Sequence, residues 1–199
     1  MMVDNCQLEM STEDKILSAA INLMEQKGYK AVTMKEIAHT AGFSEMTLFR
    51  RFGSKKAILD AGVEKYSYNI PMKKIFDEQI TYDLQQDLTL IGKTYHKYMK
   101  QNEKVVMLAF QERNTHPEIG KKTAENPKLL KTYLLQYLKE MEQKGKIEAA
   151  NIEANVMSFL WMNLGFFMAQ FVSGKEVSAV EEEEFIHTSV NIFAKGLQK

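Results

Sequence analysis

Only three prolines interrupt the 199 residues, and between them apolar side chains recur at the 3.6-residue spacing of a helix. No stretch alternates with the two-residue period of a half-buried strand, so the sequence predicts an all-α chain. Hydrophobic residues make up 45% and charged residues 26%, enough apolar material for a self-sustaining core and too much for a chain held open by its own charge. The single cysteine, Cys6, excludes an internal disulfide framework and a cysteine-based zinc site. Residues 1–10 lack both a basic start and an apolar run, and are expected to form a flexible tail rather than a secretory signal.

Local signals divide the chain. Ser11 starts a helix carrying Ile16, Leu17, Ala20, Leu23 and Met24 on one face, and Gly28 stops it. Thr33-Met34-Lys35-Glu36 is a capping box opening a short helix to about Thr40. Ala41-Gly42-Phe43 turns the chain, Ser44 caps a second short helix over 45–51, and Ser54 caps a longer one with Ile58, Leu59, Gly62, Val63 and Tyr66 inward. The Ile70-Pro71 step predicts a break. Beyond it, helices are expected over 72–79, 84–101, 103–114, 127–144 and 152–173, with Asn126-Pro127 as cap and first helical residue. A second capping box, Ser178 to Glu181, predicts a last helix over 179–197. The uncharged run 154–174 has the length of a membrane span. Asn155, Ser158, Asn163, Gln170 and Ser173 interrupt it and its flanks carry little positive charge, so a buried or subunit-interface helix is the better reading.

The informative segment is 27–56. Two short helices joined by a turn containing Gly42 make a helix-turn-helix pattern. Ile37, Ala41, Leu48 and Phe52 fall on the faces that must meet, and Ala38 is small where the helices cross. Seven basic residues (Lys27, Lys30, Lys35, Arg50, Arg51, Lys55, Lys56) face two acidic ones (Glu36, Glu45), a local balance of +5 in a chain of zero net charge. A basic patch on such a motif is the footprint of phosphate contact. With Leu48 and Phe52 inward, Glu45, Met46, Thr47, Phe49, Arg50 and Arg51 point out. Glu45, Met46 and Thr47 then sit where a recognition helix meets base edges; Arg50 or Arg51 can pair with guanine or phosphate; Lys55, Thr33 and the amides at helix starts suit phosphate. The candidate DNA-contacting set is Thr33, Lys35, Ser44, Glu45, Met46, Thr47, Phe49, Arg50, Arg51 and Lys55.

The run Gly28-Tyr29, Thr33 to Gly42, Phe43-Ser44-Glu45-Met46-Thr47-Leu48-Phe49-Arg50-Arg51-Phe52-Gly53-Ser54-Lys55 resembles the DNA-binding region of the TetR family of bacterial regulators over about residues 12–62. One departure is Phe49, where the family commonly has a tyrosine whose hydroxyl reaches phosphate. The resemblance implies an N-terminal three-helix domain over 11–54 and a helical regulatory domain over 55–199. It also implies a cytoplasmic homodimer whose last two helices form a four-helix interface, and whose recognition helices, set about 34–36 Å apart, read a palindrome. The apolar character of 152–173 and 179–197 points the same way, with Phe159, Met162, Phe166, Ile186, Val190 and Phe193 as candidate interface residues.

The remaining helices are expected to enclose a site for an apolar or amphipathic small-molecule effector, with Tyr95, Tyr98, Met99, Met107, Phe110, Arg113, Tyr133, Tyr137, Trp161 and Phe167 as candidate lining. Effector binding would swing the helix expected over 55–70 and misalign the recognition helices. No catalytic set stands out, and His96, His116 and His187 lack metal-ligand spacing, so no enzyme activity, cofactor, metal or membrane partner is expected. The sequence thus predicts a ligand-released repressor of a palindromic double-stranded DNA operator. The rival reading is an all-helical small-molecule carrier that no longer binds DNA.

Overall fold

The computed structural model describes residues 10–65, 67–112, 114, 117–174 and 176–197, all of whose regular elements are helices. Cys6 and most of the expected tail, Tyr66, Arg113 and His116 lie outside the described residues. The chain divides into two compact units, one drawn from residues 1–66 and 104–122, the other from 67–103 and 123–199.

In the first unit, α1 (Thr12–Lys27), α2 (Met34–Ala41), α3 (Glu45–Phe52) and α4 (Lys55–Lys65) each start at a hydroxyl cap. Ser11, Thr33, Ser44 and Ser54 accept from the amides of Asp14, Glu36, Thr47 and Ala57 at 3.1–3.2 Å. The box at Thr33 closes on one side only, because the Glu36 carboxylate takes the Lys27 ammonium instead of the Thr33 amide, and that pairing holds its pKa below the usual carboxylate value. Gly42 ends α2 in the left-handed conformation (φ 77°) while its amide returns to Ala38 and His39. A side chain there would be strained, so the turn that aims α3 requires glycine. Ile16, Met24, Ile37, Leu48 and Ile58 close the core. Val105, Leu108 and Ala109 of α7 (Glu103–Glu112) join that same core from fifty residues downstream. The domain boundary expected after residue 54 therefore differs from the packing, in which α4 and α7 belong with the helix-turn-helix.

The second unit contains α5 (Asn69–Glu78), α6 (Leu84–Gln101), α9 (Glu125–Gln143), α10 (Ile152–Ser173) and α11 (Glu182–Leu197). The break before α5 falls ahead of Asn69, not at Pro71. Proline occupies the first turn, where its missing amide costs no hydrogen bond. Pro127 likewise sits inside the first turn of α9, whose cap is Ala124. A short α8 (Pro117–Thr123) was not anticipated. Ser178 forms a turn with the Val180 amide rather than a cap, and α11 starts three residues later than expected, its Glu182, Glu183 and Glu184 at the positive end of the helix dipole. α10 begins at the Asn151 cap and is long and apolar enough to cross a bilayer by length and composition. Its Val156, Phe159, Leu160 and Asn163 are buried, and it packs against α6 and α9.

Two polar networks pin these helices. The buried Asp87 carboxylate accepts from the Thr81 amide and hydroxyl (2.9 and 2.8 Å) and from Tyr137 Oη (2.9 Å). Beside it Tyr82 adopts a left-handed backbone (φ 59°), held by ring stacking on Tyr137 and a hydroxyl bond to Glu140 (2.6 Å). On α6 the buried His96 places Nε2 at 2.9 Å from Asn163 Oδ1. The Asn163 amide nitrogen donates to the Phe159 carbonyl (2.8 Å), so its oxygen accepts and Nε2–H donates. Tyr95, Phe166 and Phe185 meet the imidazole edge-on.

Burial lowers the His96 pKa below its ordinary 6.5, against the opposing pull of the Asn163 hydrogen bond and of Glu182. Between the lowered value and 6.5 the unfolded chain binds more protons than the folded one, so stability falls as pH drops through that window. Thermal unfolding followed from about pH 7 to about pH 5 is expected to show a smaller loss of midpoint in His96→Gln than in the unsubstituted protein. Parallel declines in the two would refute the assignment.

Candidate functional site

The capped start of α3 fixes which side chains face out. Leu48 is fully buried, and positions two residues to either side of it, Met46 and Arg50, point most directly away from the core. Met46 is 80% exposed and Phe49 49%, while Glu45, Arg50 and Arg51 are exposed as well. Thr47 is half-buried and its hydroxyl lies 2.9 Å from that of Ser44, so the two close on each other at the head of the helix. Thr33, Lys35 and Ser44 are exposed. The first amides of α2 and α4 add fixed donors of the kind that bind phosphate.

The cations separate into three groups. Lys30, Lys35, Arg50 and Arg51 are exposed to solvent. Lys27 is paired with Glu36 and Lys56 with Asp60 (2.7 Å). Lys55 differs from its expected role: its ammonium turns inward and donates to the carbonyls of Tyr29 (2.7 Å), Val32 (2.6 Å) and Lys30 (3.4 Å), lying 4.4 Å from the Tyr29 ring centre. Desolvation lowers its pKa, and the Glu112 carboxylate partly offsets this. Glu112 Oε1 also accepts from the Tyr29 amide (2.7 Å). A side chain whose three donors serve the α1–α2 loop is a clamp, and only the Lys55 amide remains suited to phosphate. Nothing in the sequence separated this lysine from its basic neighbours.

An exposed, capped helix in a helix-turn-helix, bearing arginines beside apolar groups, is a surface for the major groove. Residues 16–61 match the family described as bacterial regulatory proteins, tetR family, and residues 86–196 match the AefR-like transcriptional repressor C-terminal domain. An HTH-type transcriptional regulator of Bacillus subtilis, YvkB, is 31% identical over 94% of this chain and 97% of its own length. The chain belongs to the TetR family. It is a DNA-binding transcriptional regulator. IcaR of Staphylococcus aureus, the negative regulator of the biofilm operon icaADBC, is 24% identical over 92% of this chain and 99% of its own. In fold, the TetR-family regulator PfmR of Thermus thermophilus superposes with a TM-score of 0.73 at 20% identity, covering 94% of this chain and all of PfmR.

In this TetR-family chain the expected dimer residues fall on the inward faces of α10 and α11. Phe159, Ile186 and Val190 are buried within the protomer's own core; Met162, Phe166 and Phe193 are half-buried, with Phe193 packed on Phe159 and Phe166 stacked on Phe185. The exposed stripe of α10 is instead Ala154, Ser158, Trp161, Gly165, Ala169 and Val172, each three or four residues after the last. Trp161 is 53% exposed, and on α11 Ile192 is 69% exposed.

The candidate effector residues also divide. Met107 and Phe110 belong to the first unit; the others described lie in the second. There Tyr95, Met99, Tyr137 and Phe167 are buried and Tyr98 and Tyr133 half-buried, while Trp161 faces solvent. Tyr68, Phe76 and Tyr82, which sequence reasoning missed, join them in two aromatic groups: Tyr68 meets Tyr95 edge-on at 5.6 Å, while Phe76 stacks on Tyr133 at 5.1 Å and both Phe76 and Tyr82 contact Tyr137. Two surface grooves in the second unit are lined by other residues, one around Asn151 and Gly196, the other around Lys93 and His187.

Proposed function

We propose that the protein is a cytoplasmic, effector-released repressor that binds a two-fold operator as a homodimer. The observation that carries this reading is the outer face of α3, where Met46 and Arg50 stand opposite the buried Leu48 with Phe49 and Arg51 beside them. Arg50 and Arg51 meet bases or phosphates, Glu45 accepts from a cytosine amino group, and Thr33, Lys35 and the amides heading α2 and α4 take phosphate and set register. The role of IcaR as a negative regulator supports repression. Dimerisation through the exposed stripe of α10 and Ile192 of α11 sets the half-site spacing. The effector site lies at the aromatic group of Phe76, Tyr82, Tyr133 and Tyr137, which suits an apolar or amphipathic molecule.

Gel-shift titration against the region upstream of its own gene tests the interface. The unsubstituted protein is expected to bind with a steep inverse dependence on salt. Arg50→Ala and Arg51→Ala are each expected to cost roughly 1–3 kcal/mol where the arginine meets a base, or to reduce the salt slope by about 1 where it meets phosphate. Undiminished binding by the double variant would reject α3 as the reading helix.

A further inference from the structure

We infer that Met46, with Phe49 beside it, reads thymine by its C5-methyl group, so that part of each half-site is specified by apolar contact rather than by hydrogen bonds. The inference rests on the assignment of α3 as the reading helix and deepens it. Bases are discriminated in the major groove by hydrogen-bond donors and acceptors or by the thymine methyl, the one apolar group exposed there. The outer face of α3 is poor in the first kind of reader. Met46 offers only a weakly accepting thioether and Phe49 nothing. Thr47, the hydroxyl that could hydrogen-bond a base, is turned onto Ser44 at 2.9 Å, and Ser44 Oγ also accepts from the Thr47 amide at 3.2 Å. Glu45 precedes and the two arginines follow Met46 and Phe49 along the helix, so the apolar pair sits between charged neighbours.

Met46 is 80% exposed on that face, and Phe49, 49% exposed, follows about one turn on. Arg50 and Arg51 follow the pair on the same helix, and Lys30 and Lys35 of the same unit are exposed, so the partner that covers these apolar side chains carries negative charge beside an apolar spot. A thymine methyl in the major groove, flanked by phosphates, has that character. A flexible methionine can follow the methyl without the fixed geometry that a bidentate reader demands. Phe49, lacking a hydroxyl, has its ring available for packing on the same base step.

The test uses a duplex selected by the full-length protein from a randomised pool, and the same duplex with each thymine in turn replaced by uracil, which removes the methyl and leaves every hydrogen-bonding group. Uracil at the positions beneath Met46 is expected to weaken binding about fourfold per half-site, the worth of one buried methyl-sized group. Met46→Ala, at an exposed position where thermal unfolding should be unchanged, is expected to bind the thymine and uracil duplexes equally at those positions while keeping its preference elsewhere. Equal binding of thymine and uracil duplexes by the unsubstituted protein would overturn the inference and leave the reading helix standing, as would a thymine preference that survives in both Met46→Ala and Phe49→Ala. Failure to enrich any duplex would overturn the assignment of the interface and the inference together.

Discussion

Trp161→Glu combined with Gly165→Glu is expected to yield a folded monomer that has lost about 10²–10⁴-fold in operator affinity, the advantage that tethering two half-site readers confers. Both positions lie on the exposed stripe of α10, and a Cβ built at Gly165 meets nothing within 4 Å in its own protomer. The protomer therefore has no packing reason to keep a glycine that costs a helix interior about 1 kcal/mol relative to alanine. A second helix crossing at that point would supply one. Glutamates there place four carboxylates around the two-fold axis of the assembly. Sedimentation equilibrium should report one protomer mass, and helicity and unfolding midpoint should stay near those of an unassembled wild-type protomer. A variant that remains dimeric would show that another face joins the subunits. The contrast is Ile186→Glu, which buries a charge in the protomer core at a position only 1% exposed and should fail to fold rather than fail to pair.

Lys55→Met is expected to destabilise the first unit by about 2–4 kcal/mol, a fall in unfolding midpoint on the order of 10 °C. Methionine preserves much of the aliphatic length and removes all three donors, so the carbonyls of Tyr29, Lys30 and Val32 lose an ammonium that sits within 2.6–3.4 Å of them. The loop joining α1 to α2 then loses the ammonium that draws its three carbonyls together, and the approach to α2 is loosened with it. Operator affinity is expected to fall less at low temperature, where the unit remains folded, than near the midpoint. That temperature dependence distinguishes a clamp from a phosphate ligand, which would weaken binding at every temperature and leave the midpoint alone. Circular dichroism melts and gel shifts at two temperatures decide it; an unchanged midpoint would sink the clamp.

The sequence was most legible where one residue type answers one local need. Ser11, Thr33, Ser44 and Ser54 announce helix starts because an orphan amide needs a short acceptor, and all four do so in the structure, whereas Asn126 and Ser178 carry the same signal without capping a helix. Prolines misled because a missing amide has opposite meanings one turn apart: Pro71 reads as a breaker, yet sits in the first turn where no donor is required. α10 hid its orientation for another reason. A helix apolar on every side carries no periodic signal to separate core from surface, so Phe159 and Trp161 look alike in sequence and end on opposite faces. Lys55 was illegible because its partners are backbone carbonyls, which every residue possesses.

The membership of α7 in the first unit bears on how this regulator can be recombined. Val105, Leu108 and Ala109 seal the same core as Ile16 and Leu48, although the chain reaches them only after passing through α5 and α6. The reading head is thus not a detachable prefix. A fragment cut at residue 66 would carry a hollow where α7 belongs, and its loop would lack the Glu112 carboxylate that receives the Tyr29 amide. Grafting this head onto another regulatory body would require the borrowed helix to travel with it, or a host whose own equivalent fits the vacancy. Evolutionary shuffling of the two halves faces the same toll, so a change of operator is more cheaply made on the surface of α3 than by exchange of the whole head.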